Sequence, residues 1–184
     1  MHSKILARVG FCLWLSAWTA AAGIVGVTVE TQNPGAEISP TALGLSYETG
    51  LLLPDTNGVR YFRPDNKPLV QMFRTLGVRS LRIGGNSVDA ARFPIPAEAD
   101  IRSLFQFAQA ADVNVIYSVR LEDGDPQSAA GIAKFIRKNF SDRLEFFAIG
   151  NEPKGYYKDT NIFLAKWTAI RDAMLAAWPD AQFC

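Results

Sequence analysis

"FFAIGNEPKGY", residues 146–156, changes character halfway through. Phe146 to Gly150 are apolar or small and read as the end of a buried strand. Asn151, Glu152 and Pro153 follow at once. A strand ending this way carries an amide and a carboxylate out of the core and then restricts the backbone behind them. Proline disfavours the α region for the preceding residue, so the pattern predicts an extended Glu152. A carboxyl group at an apolar rim has its charged form disfavoured, which suits an acid that donates a proton near neutrality. Asn151 beside it can both donate to and accept from a sugar hydroxyl.

The strand "LEFFAIG" (144–150) is the last of a series. Before it stand "ALGLSYE" (42–48), "VRSLRIGG" (78–85) and "VNVIYSV" (113–119). Helical patterns separate them. Asp65 or Asn66 can cap a helix whose stripe is Leu69, Val70, Met72, Phe73 and Leu76, with Gly77 as its stop. Glu98 and Asp100 favour a helix start ahead of Ile101, Leu104, Phe105 and Ala108. Asp125-Pro126 opens a third helix lined by Ile132, Phe135, Ile136 and Phe140. A fourth runs from about Thr160 to Trp178 and stops at Pro179. "IVGVTVE" (24–30) alternates like an edge strand ahead of the series. Strands alternating with helices imply βαβ units and a parallel sheet, hence an α/β fold. Two architectures fit: half of a (β/α)8 TIM barrel, or a small doubly wound open sheet.

The first 22 residues stand apart. Lys4 and Arg8 precede an apolar run from Val9 to about Trp18, and Ala20-Ala21-Ala22 supplies a small-residue cleavage site. This is the pattern of a secretory signal peptide, so the expectation is a secreted protein whose domain begins near residue 23. The chain has 19 lysines and arginines against 18 acids; without Lys4 and Arg8 acids exceed bases by one. A basic grip on nucleic acid is not expected from such a balance, nor is membrane attachment after cleavage. Cys12 and the single histidine, His2, lie in the same segment, and Cys184 is the other cysteine. The remainder can hold no Ser-His-Asp or Cys-His arrangement and no histidine metal site. Hydrolytic chemistry here rests on carboxylates, with neither metal nor organic cofactor implied.

Taken in order, the strand ends carry Tyr47-Glu48, then Gly84-Gly85-Asn86-Ser87, then Arg120 with Glu122 and Asp123, then Asn151-Glu152-Pro153. In a barrel they converge on one mouth, where active sites of that fold sit. Gly84-Gly85 lacks dinucleotide-loop spacing and a P-loop lysine, so its use is a tight turn leaving room for a ligand. Arg82, among apolar strand neighbours, calls for a carboxylate partner. Tyr47, Tyr156 and Tyr157 can stack on a sugar face or pack in the core.

"LSYETG" (45–50), "LRIGGNSVD" (81–89) and "FFAIGNEP" (146–153), on successive strands, resemble glycoside hydrolase family 79. That family holds heparanases and β-glucuronidases and belongs to clan A of the (β/α)8-barrel glycosidases. The resemblance implies Glu152 as general acid/base and Asn151 as ligand to the sugar 2-hydroxyl. It implies an acidic sugar contact at Glu48, and in Arg82 the arginine that supports the catalytic carboxylates. Asn86 stands where many members carry threonine. The implied partner is a carbohydrate, a uronic-acid glycoside or polysaccharide, with Tyr47, Gly85 and Asn86 also lining its site. Family members retain configuration, with a glutamate nucleophile after the seventh strand and the two carboxyl groups about 5–5.5 Å apart. Four βα units are legible here, so the expectation is the N-terminal half of a barrel, a truncated catalytic domain over 23–184. Its nucleophile, its C-terminal half and the usual β-sandwich domain are missing, and Glu122, Asp123 and Glu145 do not match the nucleophile motif. The alternatives are another clan A specificity, a non-catalytic or vestigial carbohydrate-binding half-barrel, and a nucleotide-binding open sheet.

Overall fold

A computed structural model of the chain describes residues 26–184. The signal-peptide reading of residues 1–22 lies outside them. Two units divide the chain at Glu37/Ile38. The described part of the first, residues 26–37, has turns and no strand. This corrects the edge strand expected over 24–30: Val27 and Val29 are 83% and 76% exposed. Alternation makes a strand only where a neighbour pairs with it and one face is buried.

The second unit alternates strand and helix: β1 (Gly44–Glu48), α1 (Lys67–Leu76), β2 (Ser80–Gly84), α2 (Glu98–Ala111), β3 (Asn114–Val119), α3 (Pro126–Phe140), β4 (Leu144–Ile149) and α4 (Thr160–Ala177). Local chemistry sets the helix ends. Asp125 accepts from Ser128 N at 2.8 Å ahead of Pro126, and Asp159 accepts from Asn161 N at 2.8 Å. Asn66 occupies the cap position of α1, but its side chain donates to Tyr61 O at 3.1 Å instead of capping. At the other end Gly77 is left-handed (φ 69°), and Val78 N returns to Phe73 O at 3.1 Å, closing the helix in a Schellman turn.

All pairings are parallel, and the strand order β1-β2-β3-β4 follows the chain without reversal. A doubly wound sheet reverses its order at a switch point; these strands contain none. Register places Tyr47, Ile83, Tyr117 and Phe147 in one row across the sheet. That row joins Leu81, Val115 and Ile149 in one core with Phe73 of α1, Leu104 and Phe105 of α2, Ile136 of α3 and Met174 of α4. The alternate residues Ser46, Glu48, Arg82, Ile116 and Ala148 lie on the opposite face and stay exposed or half-buried. Crossovers of one hand along a sequential order put every helix on the same side.

Between Val115 and Ile116 the β3–β4 register slips by one residue. Glu145 is the extra residue, and its carboxylate accepts from the Ser80 hydroxyl at 3.0 Å. Beyond α4 the backbone returns to the sheet. Phe147 N donates to Gln182 O at 2.8 Å and Cys184 N to Phe147 O at 3.0 Å, a parallel bridge that continues the order past β4. Among the described residues no helix is long and apolar enough to cross a membrane.

Aromatic packing anchors the α1–α2 side. Phe107 is 0% exposed and meets Phe62 and Phe73 edge-on, each with ring centroids 5.2 Å apart. Phe107→Ala is expected to cost about 3–5 kcal/mol, read as a lowered denaturant midpoint at unchanged slope. A loss below about 1 kcal/mol would show that this cluster does not close the core.

Candidate active site

The polar residues gather where β1, β2 and β4 end. Glu48 is the last residue of β1 and faces away from the helices. Its carboxylate accepts from Asn86 N at 3.2 Å and Ser87 N at 2.8 Å, at the start of a short 3₁₀ turn over Asn86–Val88. Ser87 Oγ accepts from Gly50 N at 2.9 Å, tying the loop after β1 to the same turn. The Ser87 hydroxyl beside it holds the Glu48 carboxyl below the usual glutamate range; burial opposes this, and the Ser87 and Asn86 amides and the Arg82 guanidinium add to the lowering.

Gly85 makes this approach possible. Its φ is +70°, and a Cβ there would sit 2.3 Å from Glu48 Oε1. Any side chain would displace the carboxylate as well as strain the backbone. Gly85 thus leaves room for the protein's own glutamate, where the sequence suggested room for a ligand.

Arg82 projects from β2 onto the open face of the sheet. Nη1 donates to Ser46 Oγ at 3.0 Å and Nη2 to Asn151 Oδ1 at 2.9 Å. Among the described residues it has no carboxylate in salt-bridge distance, which corrects the partner expected from sequence. Half-exposure lets two neutral acceptors and water suffice where a buried guanidinium would need a counter-charge. Asn151 continues the chain, its Nδ2 donating to Asn86 Oδ1 at 3.0 Å. Ser46, Arg82, Asn151 and Asn86 form one hydrogen-bonded path across three strand ends, with Glu48 at the Asn86 end.

Glu152 departs from expectation. It is left-handed (φ 47°, ψ 53°) where the proline was expected to hold it extended, and it is exposed where an apolar rim was expected. A non-glycine residue there costs about 1–3 kcal/mol, so surrounding bonds must impose it. They do. Gly150 (φ +77°) donates to Val119 O at 2.8 Å, Asn151 N is anchored to Asp89 Oδ2 at 2.8 Å, and Gly155 N returns to Glu152 O at 2.9 Å. The chain is bent on both sides of Glu152, and this outweighs the preference of a residue before proline.

Asp89 escaped the sequence reading except as the end of a motif. It is 6% exposed and accepts from four donors: Leu121 N (2.7 Å), Glu122 N (3.1 Å), Asn151 N (2.8 Å) and Tyr156 Oη (2.8 Å). An acid directly after the apolar Val88 was the available signal, but its partners lie more than 30 residues away. Tyr156 is therefore a hydrogen-bond donor to the protein rather than a free stacking face. Burial first, then the Asp89 hydrogen bond, push its phenol above the usual tyrosine range. Tyr157 donates to Glu122 O at 3.2 Å and packs on Phe163.

Two further expectations change. Tyr47 points to the helix side of the sheet, edge-on to Phe62 at 5.2 Å, because it is one residue out of phase with Glu48. It is a packing residue, not part of the polar group. Arg120 is spent on the backbone of the loop after β2, donating to the carbonyls of Val88 (2.8 Å) and Ala90 (3.2 Å). Beside Glu48 and Asn86 opens a recess of about 500 Å³, also lined by Leu51, Ser87, Arg92 and Phe93. Among the described residues no three histidine, cysteine or acidic groups are placed to hold a metal ion. The arrangement offers fixed donors and acceptors suited to hydroxyls, with an accessible carboxyl beside them.

Neither protein-family models nor curated proteins give a match to this chain.

Because the folded pKa of Glu48 is depressed, its interactions stabilise the fold above the unfolded pKa of about 4.3 and are lost as pH falls through the folded value. A carboxyl-detected NMR titration is expected to place Glu48 below the ordinary glutamate value of about 4.3, and Ser87→Ala to move it up toward that value. A Glu48 midpoint that is ordinary and insensitive to Ser87→Ala would refute this arrangement.

Proposed function

We propose that these four βα units are one half of a (β/α)8 barrel, and that the protein is a secreted glycoside hydrolase of the retaining β-glucuronidase and heparanase type. The observation that carries the reading is the hydrogen-bonded path from Ser46 through Arg82 and Asn151 to Asn86, across the ends of the parallel strands β1, β2 and β4. Active sites of that barrel occupy this end of the sheet. The unreversed strand order and the single helix layer support the barrel over an open sheet. The start of a further parallel strand at Gln182–Cys184 supports it also.

In this reading Glu152 donates its proton to the glycosidic oxygen as the C–O bond breaks. A carboxylate nucleophile from the other half of the barrel takes the anomeric carbon. Glu152 then removes a proton from the water that attacks the anomeric carbon and breaks its bond to the nucleophile carboxylate. Asn151 spends one amide hydrogen on Asn86 and one lone pair on Arg82, so one of each remains for the sugar 2-hydroxyl. Glu48, kept ionised, accepts from further hydroxyls. The substrate is a uronic-acid glycoside or polysaccharide, and the chemistry uses carboxylates alone. A second reading, carbohydrate binding without catalysis, draws on the exposure of Glu152.

The test is hydrolysis of aryl β-glucuronides by the protein expressed from the complete reading frame containing these residues. A good leaving group needs little protonation and a poor one needs much. Glu152→Gln is expected to lower kcat/KM, which reports the acid-assisted step, by roughly 10²–10⁴-fold on the phenyl glucuronide and far less on the dinitrophenyl glucuronide. Equal rates for variant and wild type on both would remove Glu152 from the mechanism and leave the binding reading.

A further inference from the structure

The buried carboxylate of Asp89 takes no part in the chemistry just described, yet it ties its own loop after β2 to two others. Oδ1 accepts from Leu121 N and Glu122 N, in the loop after β3. Oδ2 accepts from Asn151 N, before Glu152, and from Tyr156 Oη, after it. One oxygen thus grips the chain on both sides of Glu152. A side chain at Gly150 would reach within 2.8 Å of Leu121 Cβ and 2.9 Å of Tyr156 Oη, so the turn fits closely against the same two partners. Glu152 itself has no side-chain hydrogen bond among the described residues. Its direction is set by its backbone, and its backbone is set by these anchors.

We infer that Asp89 is the positioning residue for Glu152: its Oδ2, bound to Asn151 N and Tyr156 Oη, fixes the left-handed turn that aims the Glu152 carboxyl. The inference rests on the reading of Glu152 as proton donor. Asp89→Asn isolates the bond in question. The amide oxygen can replace Oδ1 and keep Leu121 and Glu122, while the NH2 group confronts the Asn151 N–H, donor against donor. The Tyr156 phenol can rotate to accept from it. The Asn151 anchor is the one lost.

Hydrogen exchange on the chain gives the first readout. A hydrogen bond to a charged group lost at Asn151 should speed exchange of its amide roughly 10–100-fold in Asp89→Asn, with Leu121 and Glu122 changed much less. Kinetics on the protein from the complete reading frame give the second. Asp89→Asn should lower kcat/KM, which reports the glycosylation step alone, by roughly 10-fold or more on the phenyl glucuronide and spare it on the dinitrophenyl glucuronide, as a misaimed acid would. Tyr156→Phe, which deletes one bond and no charge, should shift both readouts in the same direction by less; it serves alone should Asp89→Asn not fold. Equal acceleration of all three amides, or a Tyr156→Phe identical to wild type in both readouts, overturns the inference. So does an unchanged leaving-group dependence in Asp89→Asn while Glu152→Gln steepens it, which leaves the acid role of Glu152 standing. A Glu152→Gln without any leaving-group effect removes the acid role and the inference together.

Discussion

The period of two along a β-strand governs this molecule. Once Tyr47, Ile83, Tyr117 and Phe147 are committed to the helix layer, their neighbours in sequence must face the other way. Ser46, Glu48 and Arg82 therefore share the open face, and parallel pairing brings their strand ends to one edge. Burial of one row is worth several kcal/mol of apolar transfer per aromatic pair, far more than any single polar contact on the opposite face. The polar group is assembled by packing that happens behind it.

Charge inside the fold is handled by saturation with donors. Asp100 is buried, yet it accepts from Ala97 N at 2.8 Å and pairs with Arg60 at 2.7 Å. Asp89 has no cation among its hydrogen-bond partners and relies on three backbone amides and a phenol. Four donors can satisfy a carboxylate's main acceptor sites, which makes a buried anion tolerable without a counter-charge. The consequence is rigidity where the loops after β2, β3 and β4 meet. At the opposite end of the strands Arg79 and Arg143 share the exposed Asp112, which ends α2 in a left-handed turn. That cluster ties the bottom of the sheet and touches none of the candidate site.

Much of the fold was legible because it depends on local signals. Apolar stripes, Asp125 before Pro126 and Gly77 after Leu76 each gave an element or a boundary. Local pattern misled where a long-range partner decides, as at Val27 and Val29, which alternate like a strand without pairing as one. The site was legible in part. Glu48, Arg82, Asn86 and Asn151 do come together, but Tyr47, which could stack on a sugar or pack in the core, takes the core, because alternation along β1 puts it on the other face.

The residues at the strand ends were set by the sequence alone: alternating βα units, and an amide–carboxylate–proline step closing the fourth strand. Tertiary structure decided how they are used. Asp89 gathers partners from separate loops, Arg82 bonds an asparagine instead of a carboxylate, and Glu152 adopts a backbone its proline disfavours. The physical reason is common to all three. Sequence periodicity reports which face a residue occupies, whereas a hydrogen bond between residues 89 and 151 exists only after two crossovers have brought their strand ends together.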